Sequence, residues 1–120
     1  MGFREHLQNV VRSVDGAVAC SLMGVDGIEV DTYLLDEDVG VDVASLIVEL
    51  SSLLRAAGEA SATHRAGEAA EFSILSERLL TVARLVSPEY FLVVALRPGG
   101  NFGKARYMLR VTAPRIRSEL

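Results

Sequence analysis

Hydrophobic and polar positions along this chain follow two periods. Between Phe3 and Val14 the apolar residues Phe3, Leu7, Val10, Val11 and Val14 recur at helical spacing, with Arg4, Glu5, Gln8, Asn9, Arg12 and Ser13 on the other side. Asp15-Gly16 ends this amphipathic helix, because Gly16 suits the left-handed position just past it. From Ala17 to Met23 the period falls to two: Val18, Cys20 and Leu22 alternate with Ala19 and Ser21. Ile28 to Leu34 repeats it, with Ile28, Val30, Thr32 and Leu34 against Glu29, Asp31 and Tyr33. Gly24-Val25-Asp26-Gly27 between them carries an Asp-Gly turn signal, so the two runs predict an antiparallel hairpin with one wet face.

An acidic loop, Leu35 to Gly40, leads to Asp42, a carboxylate placed to cap the next helix. That helix is expected from Val43 to Ala57, with a stripe of Leu46, Ile47, Leu50, Leu53, Leu54 and Ala57 and with Val48 off the stripe. Its remaining surface is Ala44, Ser45, Ser51, Ser52 and Ala56, and only Glu49 and Arg55 are charged. A solvated helix normally shows a strongly charged outer face; small residues here permit close approach by another element. Gly58 to Gly67, rich in Gly, Ala, Ser and Thr, reads as a loop. Three strands follow, Ala70 to Leu75, Leu79 to Val86 and Tyr90 to Leu96, separated by Ser76-Glu77-Arg78 and Ser87-Pro88. The last run is apolar throughout, as in a central strand covered on both faces. Arg97-Pro98-Gly99-Gly100 turns the chain, and Asn101 caps a final helix. Its broad face carries Phe102, Ala105, Met108, Leu109, Thr112, Ala113, Ile116 and Leu120, beside a stripe of Arg106, Arg110 and Arg117. Pro114 lies within this helix and is expected to kink or restart it.

The order is helix, two strands, helix, three strands, helix: an α+β fold with a five-stranded, mainly antiparallel sheet covered by helices. The 120 residues fit a single domain, residues 1–120. Half are hydrophobic but only 6% aromatic, so the core is built from Val, Leu, Ala and Ile. A net charge of −4 argues against nucleic acid as a partner. One cysteine, Cys20, cannot form an internal disulfide, which fits a reducing, cytoplasmic setting. No run approaches the ~18 apolar residues of a membrane span, and Met1 to Val14 lacks the continuous apolar core of a signal peptide.

Chemistry is sparse. Gly99-Gly100-Asn101-Phe102-Gly103-Lys104 sits where a phosphate loop would, but Pro98 and Ala105 stand where that loop needs Gly and Ser or Thr. Asp36, Glu37, Asp38 and Asp42 invite calcium, yet an EF-hand counted from Asp36 has Val41 and Ile47 at its Gly and Glu positions. The segment reads as a solvated acidic loop. His6 and His64 have no second ligand at metal spacing, and Cys20 reads as a buried, inert thiol. No catalytic motif and no cofactor site is expected. The Arg106, Arg110, Arg117 stripe is either a solvated flank or a strip that binds a partner or anion.

Three segments in this order resemble the Roadblock (dynein light-chain) family: "VDGAVACSLMGVDGIEV" after the opening helix, the sparsely charged "VDVASLIVELSSLLRAA", and the closing "NFGKARYMLRVTAPRIRSEL", like the family's Asn-aliphatic-Gly start of its last helix. Pro114 departs from the pattern. The resemblance implies a non-enzymatic homodimer or heterodimer in which middle helices pack together and third strands pair. On this chain that places Val43, Leu46, Ile47, Leu50, Leu53, Leu54, Phe72 and Ile74 at a dimer interface. It further implies a partner: a small Ras-like GTPase, as for bacterial polarity regulators of the MglB type. These reposition the GTPase's own catalytic residues without an arginine finger. An adaptor without effect on hydrolysis and a small-ligand sensor are the alternatives.

Overall fold

A computed structural model describes residues 2–35 and 40–120. The elements follow the expected order: α1 (Arg4–Ser13), β1 (Ala17–Gly24), β2 (Glu29–Leu34), α2 (Val43–Thr63), β3 (Glu71–Leu75), β4 (Leu80–Ser87), β5 (Tyr90–Leu96) and α3 (Phe102–Arg117). The strands form one sheet in the order β2-β1-β5-β4-β3, with every neighbouring pair antiparallel. The apolar run of β5 takes the centre, and β2 and β3 are the two margins.

Strand alternation sorts the core into two layers. Cys20, Leu22, Val82, Leu92, Val94 and Leu96 face α1 and α3, packing on Leu7, Val10, Leu109 and Ile116. Val18, Ala19, Met23, Ala83, Phe91, Val93 and Ala95 face α2, packing on Val43, Ile47, Leu50 and Leu54. The caps are as the sequence suggests. Asp42 Oδ1 accepts from the Ser45 amide at 3.2 Å, and Asn101 Oδ1 from the Lys104 amide at 3.0 Å. The turns after α1 and after β5 are locked together: the Arg97 and Asn101 amides donate to the Gly16 and Asp15 carbonyls. Gly16 has φ +88°, and a Cβ there would lie 2.7 Å from Gly100 Cα.

Three expectations are corrected: β1, in a hairpin expected to keep one wet face, is buried along its whole length, α2 is longer than expected, and of the kink or restart expected at Pro114 the restart does not occur. α2 does not stop at Ala57 but runs to Thr63. Gly58 costs the helix about 1 kcal/mol, but its flank is open and Ala56, Ala57, Ala60 and Ala62 are strong helix formers that sustain it. The chain turns only where Arg65 (φ +63°) and Gly67 (φ +88°) adopt left-handed backbone. α3 does not restart at Pro114 but continues to Arg117. Pro114 is exposed, so the carbonyl it leaves without a donor can turn to water, and Ala113 and Ile116 stay buried on either side of it. The acidic positions Asp36, Glu37 and Asp38 lie outside the described residues. No helix among the described residues is long and apolar enough to cross a membrane.

Candidate protein-interaction site

α2 is held to the sheet by Val43, Ile47, Leu50 and Leu54, all buried within this chain. Those four members of the expected interface therefore serve the protomer's own core. The helix turns outward a surface of Ala44, Ser45, Val48, Glu49, Ser52, Leu53 and Ala56. Leu53 is 50% exposed and Val48 41%. Leu46 is half-buried and shares a flank with Leu53, seven residues on. Ser51, on the opposite flank, lies under the β1–β2 turn, 3.3 Å from where a Gly27 Cβ would be. The Leu46–Leu53 flank therefore points away from that turn.

β3 pairs with β4 along one edge only, leaving its other edge unpaired among the described residues. Phe72 sits opposite Ala83 and Ile74 opposite Thr81, so both lie on the α2 face, half-buried at its margin. Leu46, Phe72 and Ile74 are each packed, partly buried, against the core on the α2 face, and β3 presents an open strand edge. Such an edge invites pairing with another strand.

The other face of β3 carries Glu71, Ser73 and the exposed Leu75. Glu71 sits opposite Arg84. Its Oε2 accepts from Arg106 at 2.8 Å, and its Oε1 lies 3.5 Å from Arg84 Nη1. This cluster was not legible in the sequence, since Arg106 is 35 residues from Glu71. Arg110 lies over the Tyr107 ring at 5.5 Å, and Arg106 over Phe102 at 5.6 Å. Arg106, Arg110 and Arg117 share one exposed stripe of α3, as their spacing predicts.

Among the described residues, the cysteine and the two histidines stand apart from one another. Cys20 is buried and desolvated, which pushes its thiol pKa far up and leaves it protonated. His6 contacts Glu119 at 2.6 Å, tying α1 to the C-terminal end. His64 is exposed at the end of α2. No cluster of three His, Cys, Asp or Glu among the described residues could hold a metal ion. One apolar hollow of about 470 Å³ opens between the end of α2 and the β4–β5 turn, lined by Leu54, Ala62, Leu85 and Pro88 among others.

No protein-family model matches the chain, and no curated protein does. Solved structures do. A Roadblock/LC7 domain from Streptomyces avermitilis superposes with a TM-score of 0.82 over 96% of this chain and 94% of the other, at 16% identity. MglB from Thermus thermophilus superposes at 0.81 over 98% and 89%, at 19% identity. The fold is that of these proteins, and the chain belongs to the Roadblock/LC7 family. Identity reaches beyond fold for MglC from Myxococcus xanthus: 54% over 100% of both chains, with a TM-score of 0.73. The sequence likeness is thus to MglC, although the MglB fold superposes more closely.

Proposed function

We propose that the chain is a non-enzymatic, homodimeric regulator that binds a small Ras-like GTPase, altering hydrolysis by repositioning the GTPase's own residues. Two observations support the dimer: the open β3 edge, and the exposed apolar flank of α2 formed by Leu46 and Leu53. Pairing of two β3 strands would satisfy the free backbone groups of both copies, and the small outward residues of α2 let two helices approach closely. Phe72 and Ile74 would then be covered, while Val43, Ile47, Leu50 and Leu54 position the helix from beneath.

The dimer is tested by sedimentation of Leu53→Glu. Because Leu53 is half-exposed, the variant should keep the folded circular-dichroism spectrum and sediment as a monomer. A folded variant that remains dimeric removes α2 from the interface. The GTPase reading is tested by capture from native lysate with and without a non-hydrolysable GTP analogue, followed by hydrolysis assays on any GTPase retained. Absence of a GTPase in every nucleotide state defeats it.

A second reading is an adaptor that binds the same module without changing hydrolysis. Binding with an unchanged hydrolysis rate selects it.

A further inference from the structure

Charge is segregated in this protein. α3 carries Lys104, Arg106, Arg110, Arg115 and Arg117 and no acidic residue, whereas the whole chain has 12 Lys and Arg against 16 Asp and Glu. A helix of +5 therefore rests on a body of −9, making up the net −4. Between α3 and the β3 margin runs a groove with two hollows. One, of about 170 Å³, is lined by Arg84, Arg106, Arg110 and Tyr107 with Glu71 and Gly103. The next, of about 250 Å³, includes Arg84, Arg117 and Glu68. Arg84 belongs to both, so four arginines line the groove against two glutamates.

The groove already holds a carboxylate. Each oxygen of Glu71 meets a different arginine, Arg106 at 2.8 Å and Arg84 at 3.5 Å. Arg110 and Arg117 have no carboxylate partner among the described residues, and Tyr107, 48% exposed, is flanked by Lys104 at 5.9 Å and Arg110 at 5.5 Å. Arginine presents a planar fork matched to carboxylates, and two such forks stand unused beside two in use.

We infer that the α3–β3 groove binds an acidic segment of a partner protein, with Arg110 and Arg117 taking its carboxylates and Glu71 holding the place that one of them takes. From Arg106 to Arg117 is about 16 Å along the helix, the span of about five extended residues. The apolar face of α3 is locked in the core through Ala105, Leu109 and Ile116, so the helix cannot insert into a bilayer as a basic amphipathic helix does. The negative body outside α3 repels a long polyanion, which disfavours nucleic acid. The first hollow lies on the α3 face of the sheet, while the second reaches the β4–β5 turn and shares Glu68, Leu85 and Pro88 with the hollow at the end of α2; the inference does not depend on the GTPase reading.

The test is fluorescence anisotropy of the purified protein with a labelled peptide of about ten residues, half of them Glu. Binding is expected to weaken about tenfold between roughly 50 and 200 mM salt, as charge screening requires. Arg110→Glu with Arg117→Glu, both exposed, should weaken it at least about tenfold with an unchanged thermal midpoint. Glu71→Gln keeps the shape, frees Arg84 and Arg106, and should tighten binding a few-fold. The inference is overturned by no binding at about 1 mM protein, by binding indifferent to the arginine reversals, or by arginine-dependent capture of duplex DNA or phosphatidylglycerol vesicles tighter than that of the peptide.

Discussion

On one face of the sheet α1 and α3 lie together over Cys20, Leu22, Val82, Leu92 and Val94, and Leu7, Val10, Leu109 and Ile116 are completely enclosed. On the other face α2 works alone. Leu34, paired with Ala19 at the β2 margin, stays 53% exposed, and Phe72 and Ile74 at the β3 margin are only half-buried. The difference is geometric. Strands stand about 4.8 Å apart and a helix with its side chains is about 10 Å across, so five strands need two helices and one covers roughly half. The closed face buries its side chains completely, and the open face leaves apolar surface uncovered.

The sharpest way to break this comparison is one truncation on each face. Leu109→Ala should lose about 3–5 kcal/mol by chemical denaturation, because Leu109 is fully enclosed. Leu53→Ala should lose well under ~1 kcal/mol when measured at concentrations where the protein is monomeric. Equal losses would mean that the faces are equally closed. A smaller effect is expected at the junction of turns on the closed side. Gly16→Ala places a Cβ against Gly100 backbone at positive φ, and should cost more than about 1 kcal/mol, read as a fall in Cm at constant m. The smallest effect has the opposite sign. Thr112 Oγ1 is buried in α3 without a hydrogen-bond partner among the described residues. Thr112→Val removes the unpaired hydroxyl and should raise stability by about 1 kcal/mol, visible as a higher Tm. A lower Tm would show that the hydroxyl is bonded in solution.

The closed face was the more legible of the two in the sequence. Phe3 to Val14 shows its stripe plainly, and the unbroken Tyr90–Leu96 run reads as the central strand it is. α2 was harder because its Leu and Ile positions wrap around more than one flank. Leu50 and Leu54 go inward while Leu53 goes outward, and only packing against the sheet separates them. Its last turns were hidden by Gly58 and the Ser- and Thr-containing stretch after it, where composition suggests a loop and alanines decide for helix. The Arg84–Glu71–Arg106 cluster needs the β3–β4 register and the placement of α3 over it, neither of which a spacing in the chain can express. The arginine stripe itself was visible; what it stands beside was not.

The charge carried by α3 has a consequence for rates. A helix of +5 on a body of −9 gives the molecule a permanent orientation in the field of any charged neighbour. An acidic surface approaching at random is repelled by most of the protein and drawn to one helix, so the two molecules arrive already turned towards each other. Added salt then acts first on how often productive collisions occur, and only weakly on how long the complex lasts.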